Sequence, residues 1–161
     1  MKKKVLYLIL LVSLGLFVSC SNYKHEKEWV FAGDTWNRFV PFMDTIDITD
    51  IEKQYDLNVA FSVWDNFEYS LVPLEIVVYY PNGQKSVFKK YYSIKDLQGN
   101  HLGTVKGNVW TVDMNVFESR TFPEKGKYIF SVQHLTQYYD LPKVQAIKTI
   151  LTHTKKKSQN R

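Results

Sequence analysis

From Tyr55 onward the chain reads Tyr55-x-Leu57-x-Val59-x-Phe61-x-Val63, with Asp56, Asn58, Ala60 and Ser62 between. Successive side chains of a strand point to opposite faces, so this run has one face for a core and one for water. Trp110-x-Val112-x-Met114-x-Val116, interleaved with Thr111, Asp113 and Asn115, repeats the pattern, as does Tyr128-x-Phe130-x-Val132-x-His134. Leu74 to Tyr80 is a nearly continuous β-branched and aromatic run, which suits a central strand. Pro81-Asn82-Gly83 follows it. Proline presets the first turn position and Gly83 can take the left-handed one, so the chain is expected to return as a hairpin through Val87 and Phe88. Trp29 to Phe31, Phe39 to Phe42 and Ile46 to Thr49 are shorter strand candidates. The turn Phe122-Pro123-Glu124-Lys125-Gly126 feeds the strand ending at His134. A loop through Tyr138, Tyr139 and Leu141-Pro142 then leads to a last strand near Val144 to Thr152. No long helical stripe interrupts this series. About eight or nine short strands at this spacing predict an all-β, antiparallel β-sandwich. The 11 Tyr, 10 Phe and 4 Trp agree with that class. The one long irregular connection is Ser93 to Asn108, with Gly99, Gly103 and Gly107, and loops of that length are often functional.

The N-terminus has a different logic. Met1-Lys2-Lys3-Lys4 is a cationic start, and Val5 to Val18 is apolar apart from Tyr7, Ser13 and Gly15. That is a secretory leader, shorter than a spanning helix and followed at once by polar residues. Ordinary signal peptidase could cut after Ser21, using small Ser19 and Ser21. The alternative is a lipobox, Leu16-Phe17-Val18-Ser19-Cys20, in which the thiol of Cys20 takes a diacylglycerol and becomes the first residue. Phe17 stands where leucine is more usual, while Ser19 fits. Cys20 is the only cysteine, so it has no disulfide partner in the chain and no Cys-based zinc site. Its place at the very end of the apolar segment favours lipid attachment, and the chain reads as a bacterial lipoprotein. Ser21-Asn22-Tyr23-Lys24-His25 carries no aspartate directly after the cysteine and no acidic run. Both absences favour the periplasmic leaflet of the outer membrane. The expected organisation is a signal peptide over 1–19, a lipid-anchored tether over 20–28, a β-sandwich domain over 29–153 and a basic, disordered tail over 154–161.

The formal net charge of +5 is carried by the termini. Setting aside Lys2, Lys3 and Lys4 of the leader and Lys155, Lys156, Lys157 and Arg161 of the tail leaves a slightly negative domain. A nucleic-acid binder carries its positive charge on the folded face, so no nucleic-acid partner is expected. G-x-S-x-G, H-E-x-x-H, the P-loop and G-x-G-x-x-G do not occur. His25, His101, His134 and His153 are too scattered to suggest a metal site. Asp44, Asp47, Asp50 and Glu52 lack the ligand spacing and glycine of an EF-hand loop, and a solvated strand edge accounts for them better. His134 falls in register with Tyr128, Phe130 and Val132, so it should face the core as a hydrogen-bonded structural histidine; no nucleophile can be named beside it. Trp29, Trp36, Trp64 and Trp110 would stack on sugar rings if exposed, although core packing is the ordinary use of tryptophan in such a domain. The expectation is therefore no enzyme, no cofactor and no metal. A glycan-binding sandwich is the alternative, and a hydrolase would need polar groups converging in one cleft.

The order of landmarks carries more than any one of them. Trp36-x-x-Phe39 precedes Ile46-Asp47-Ile48-Thr49-Asp50, then Tyr55-x-Leu57-x-Val59-x-Phe61. Next come Asn66-x-x-Tyr69, the Leu74 strand and Pro81-Asn82-Gly83. Leu97-x-Gly99-Asn100-x-Leu102-Gly103 and Phe122-Pro123-x-x-Gly126-x-Tyr128-x-Phe130-x-Val132-x-His134 complete the series. In this order, behind a lipobox, the chain from Cys20 to about Leu151 resembles the gliding-motility lipoprotein family GldH of the Bacteroidetes. It departs from the family's pattern at Asp65, at Leu135-Thr136 and at Lys148, where an arginine, Met-Arg and a glycine are common. The resemblance implies an outer-membrane lipoprotein acting with other Gld lipoproteins and linked to the type IX secretion machinery. It implies a non-enzymatic role in stabilising or assembling those partners. It supplies no catalytic residues, and it does not imply that the organism glides.

Overall fold

The longest alternating run becomes β4 (Lys53–Trp64), the middle strand of a five-stranded antiparallel sheet. The computed structural model describes residues 24–155. Beside β4 lie β11 (Val144–Lys155) and β8 (Val109–Arg120). The edge next to β11 is β1 (Lys24–Val30), and the short β7 (Thr104–Lys106) covers the start of β8. A second antiparallel sheet runs in the order β3 (Phe42–Ile48), β9 (Gly126–His134), β5 (Leu71–Tyr79), β6 (Lys85–Ser93). A two-stranded ribbon pairs β2 (Thr35–Asn37) with β10 (Asp140–Pro142). The all-β antiparallel sandwich expected from the alternation is the fold.

The core follows the same parity. Tyr55, Leu57, Val59, Phe61 and Val63 of β4 are buried, and they meet Val72, Leu74, Ile76 and Val78 of β5 and Tyr128, Phe130 and Val132 of β9. Each such side chain contributes roughly 1.5–3 kcal/mol on burial, so the two-residue period suffices to hold the sheets together. β8 breaks its own alternation once. Val116 and Phe117 are consecutive and both buried, beside a register shift against β4 near Leu57. An extra residue on one strand permits this. Just beyond, Ser119 has φ 51, and its N–H donates to Asp56 Oδ1 at 2.7 Å. The Pro81-Asn82-Gly83 hairpin forms as expected: Gly83 has φ 83, its N–H reaches the Tyr80 carbonyl at 3.0 Å, and Val77 pairs with Val87.

Four boundaries differ from the sequence expectation. The first strand begins at Lys24, so most of the segment read as a tether (20–28) is β1, paired with β11 from Lys24↔Thr152 to Val30↔Ala146. Lys24-His25-Glu26-Lys27-Glu28 has no apolar alternation to announce it. Its backbone pairing and the Lys24–Glu26 and Lys148–Glu28 ion pairs hold it as a charged edge strand. Phe39–Phe42 and Ile46–Thr49 are not two strands; Phe42 to Ile48 is one, and Asp44 sits in the middle of it. The connection Ser93–Asn108 contains β7 and a tight turn bridged between Lys95 and His101. At the other end β11 runs on to Lys155. The leader, Cys20 and residues 156–161 lie outside the described residues.

Candidate functional site

His134 ends β9 on the core side and is 1% exposed. Its Nε2 lies 2.9 Å from the Trp36 carbonyl and its Nδ1 2.9 Å from the Thr136 hydroxyl. A carbonyl only accepts, so Nε2 carries the proton and Nδ1 accepts from Thr136. Burial lowers the imidazole pKa below its ordinary value, which keeps the ring neutral. The Trp36 ring packs edge-on against it at 5.1 Å. Both ring nitrogens are therefore spent on tying β9 to β2 and the following loop. His134 is a structural histidine, as its parity predicted.

A second buried polar cluster was not anticipated. Asp44, expected among the acids of a solvated edge, is 1% exposed and points between the sheets. Thr149 of β11, fully buried, donates its hydroxyl to Asp44 Oδ2 at 2.5 Å. His25 of β1 places Nε2 at 3.1 Å from both carboxylate oxygens. Next to it, Lys27 Nζ donates to the Met43 carbonyl at 2.8 Å. One carboxylate on the second sheet thus clasps two strands of the first. The signal was available, since Asp44 shares parity with Phe42, Ile46 and Ile48, all of them core residues. Chemically the group is a clasp. The Thr149 hydroxyl points its proton at the carboxylate and not at an imidazole, so no base stands ready to activate it. Asp50 does behave as a surface turn residue. Its carboxylate accepts the Glu52 N–H at 3.0 Å, a bond that holds its pKa below the usual value.

The Ser93–Asn108 connection is ordered by Asp96, which accepts N–H bonds from Gln98 at 2.9 Å and Asn100 at 2.8 Å. The Asn100 side-chain amide adds a bond to the other oxygen at 3.0 Å, and these donors lower the Asp96 pKa. Leu97 stands fully exposed at its tip. The four tryptophans part company. Trp36 is fully buried, and its Nε1 donates to the Val40 carbonyl at 3.1 Å. Trp110 is half-buried beneath the stacked ring of His101, with ring centres 5.3 Å apart. Trp64 is half-buried too, while Trp29, 38% exposed, leans on Phe31 and Phe42. Core packing, the ordinary use of tryptophan in such a domain, thus accounts fully for Trp36 and in part for Trp64 and Trp110. The more exposed aromatic pair is Phe39 and Tyr139, stacked at 5.5 Å beside the β2–β10 ribbon.

The two outer faces differ in chemistry. On the five-stranded sheet, Asp56, Asn58, Asp113, Asn115 and Glu118 line an open polar hollow. On the four-stranded sheet, Met43, Tyr79, Val87 and Ile129 lie exposed among neighbouring strands. Among the described residues no group of three or more His, Cys, Asp or Glu is placed to hold a metal ion. No helix among them is long and apolar enough to cross a membrane.

No curated protein matches the sequence. Among solved structures, the chain is similar to a chain in the structure of infectious bursal disease virus Gx strain. That match has 12% identity and a TM-score of 0.37, covering 87% of this chain and 32% of that one. A chain of the infectious bursal disease virus VP2 subviral particle is similar at 12% identity and a TM-score of 0.32, with 84% and 31% covered. The protein thus spans about a third of those chains, and likeness at this level says nothing about function. The family model described as GldH lipoprotein matches residues 23–149, which is the sandwich almost from its first strand to its last. That family is not a known enzyme family. The chain belongs to the GldH lipoprotein family, a group of gliding-motility-associated, membrane-anchored lipoproteins.

Proposed function

We propose that this protein is an outer-membrane lipoprotein, anchored through acyl chains on Cys20 and facing the periplasm. In this reading it is a non-enzymatic component of the gliding-motility and type IX secretion-associated machinery, where it stabilises or assembles partner Gld lipoproteins. The family match over 23–149 is the observation that carries this reading. The lone cysteine at the end of the leader supports the anchor, because two or more acyl chains hold a protein stably at a membrane while one does so only marginally. The use of the buried polar groups supports a contact role. His134 joins strand to loop and Asp44 joins sheet to sheet, which are tasks of a rigid scaffold. Deleting the gene tests the role. Partner lipoproteins should fall in abundance and type IX secretion should drop; unchanged levels with normal secretion would sink the reading.

A second reading, a lipid-anchored glycan-binding sandwich, draws on exposed aromatic rings, now Trp29, Phe39 and Tyr139 in place of the four tryptophans. It predicts retention of the chain on immobilised polysaccharide, lost in Phe39→Ala.

A further inference from the structure

The outer faces of the two sheets present different side chains, and strand parity says which. On the four-stranded sheet the core takes Phe42, Ile46 and Ile48 of β3, so Met43, Thr45 and Asp47 face out. By the same rule β9 turns out Lys127 and Ile129, and β5 turns out Leu71 and Tyr79. β6 turns out Lys85, Val87, Lys89 and Tyr91. The register makes the middle of this face continuous. Met43, Ser131, Val77 and Val87 run straight across all four strands, and Ile129 and Tyr79 lie side by side in the next row. Val77 is covered by its neighbours, while Met43, Tyr79, Val87 and Ile129 are open to solvent. A contiguous apolar patch on a folded surface marks a place of contact.

Charge and the position of the N-terminus say what the patch meets. Lys85, Lys89 and Lys127 border it; Lys89 pairs with Glu75 at 3.3 Å, and Asp47 is the other acid on this face. The opposite face has the other sign, with Asp56, Asp113 and Glu118 around its hollow. β1 runs along the flank beside β3, which is the edge strand of the lysine-bordered sheet. His25 lies against Asp44, Lys27 holds the Met43 carbonyl and Trp29 packs on Phe42. Cys20 stands four residues before Lys24, a reach of at most about 14 Å. Packed sheets are about 10 Å apart, so Cys20 reaches the plane of the four-stranded sheet. Acyl chains on it can therefore enter a bilayer on which that face lies flat.

We propose that the outer face of the four-stranded sheet rests on the anionic phospholipid surface that holds the anchor. Met43, Val87 and Ile129 then press into the headgroup layer, and Lys85, Lys89 and Lys127 meet lipid phosphates. The composition selects a bilayer surface. A tyrosine such as Tyr79 or Tyr91 suits a boundary with one apolar and one wet side. Lysine stems lie along apolar surface while their ammonium groups reach outward, and anionic headgroups attract each of them. At the margin, a hollow of about 500 Å³ lined by Lys89, Tyr91 and Gln137 offers N–H and O–H donors to a headgroup phosphate. The acyl chains hold the protein and this face orients it, which turns the acidic face away from the membrane and toward partners. The inference rests on the Cys20 anchor proposed above and adds how the anchored domain sits.

The test uses the full lipidated chain in vesicles of phosphatidylethanolamine and phosphatidylglycerol. Cys20 is the only native cysteine and its thiol is acylated, so Val87→Cys or Asn58→Cys takes an environment-sensitive fluorophore at one place. Lipids carrying a quencher near the headgroup should dim the Val87→Cys probe and leave the Asn58→Cys probe, on the opposite face, unchanged. Adding Ile129→Asp should abolish the quenching while the chain stays in the membrane and keeps its circular dichroism spectrum. Lys85→Glu with Lys127→Glu should reduce it, as should high salt. Equal quenching of both probes, or of neither, overturns the proposal. Energy transfer between chains labelled at Val87→Cys, in place of lipid quenching, would give the face to a second copy and overturns it too. So does free access of an aqueous quencher to that probe, which leaves the face open for a partner polypeptide. A chain that stays in the vesicles with an unquenched Val87→Cys probe loses the face contact and keeps the anchor. A wild-type chain that itself takes up the label has a free Cys20 thiol and loses both.

Discussion

Replacing Asp44 with alanine tests the clasp between the sheets most sharply. The carboxylate takes the Thr149 hydroxyl at 2.5 Å and faces His25 at 3.1 Å, and it is 1% exposed. Losing it strands the Thr149 hydroxyl in a fully buried place, with only a 3.5 Å approach to the Lys27 carbonyl left. An orphaned buried hydroxyl costs about 1–3 kcal/mol, and a hydrogen bond to a charged group is worth about 1.5–3 kcal/mol. His25 remains partly solvated and can turn to water, so its half of the loss is small. Against this, the desolvation of a buried carboxylate is relieved. The net expectation for Asp44→Ala is a loss of about 3 kcal/mol. Asp44→Asn keeps an acceptor for Thr149 and should lose about half as much. The assay is urea unfolding of the leaderless chain, with Thr149→Val and the double variant completing a cycle. The two single losses should not add, since each removes the same contact. An Asp44→Ala midpoint within about 0.5 kcal/mol of the parent, the range of ordinary surface changes, would mean that Asp44 is a solvated edge residue after all.

The pH dependence follows from the two buried histidines. His134 and His153 both have pKa values lowered by burial, His153 also by Lys53. The unfolded chain therefore binds more protons just below the ordinary imidazole value of about 6.5. Stability is full above that value and declines as pH falls through the lowered ones. Melting curves at falling pH should show this slope, and His134→Gln should flatten it. Trp36→Ala empties a site bounded by Phe31, Phe61 and His134 and should cost about 3–5 kcal/mol by chemical denaturation. Gly103→Ala meets the Thr111 carbonyl head-on at a positive φ. It should detach β7, seen as faster amide exchange at Thr111, while β4 and β9 keep their protection.

Much of the fold was legible because parity is a strong signal wherever one face is apolar. β4, β9 and the front of β8 show it plainly, and Pro81-Asn82-Gly83 fixes a hairpin by turn chemistry alone. β1 was hidden because an edge strand with both faces wet needs no apolar alternation, and its partner β11 lies more than a hundred residues away. β2, β7 and β10 are three residues each, below the length at which a period can be read. Asp44 is masked in the sequence by its acidic neighbours: Asp47 is exposed and Asp50 lies in a surface turn, while the alternation with Phe42, Ile46 and Ile48 turns Asp44 inward. His134 is legible because it shares its parity with the buried Tyr128, Phe130 and Val132.

The central claim is that this chain works by contact from a membrane anchor. Its most direct test is the abundance of partner lipoproteins in membranes of a deletion strain complemented with either the wild-type chain or Cys20→Ala. The wild-type chain should restore them. The Cys20→Ala chain should leave the membrane fraction and fail to restore them. Partner levels indifferent to the deletion, or a Cys20→Ala chain that stays in the membrane, would contradict the account.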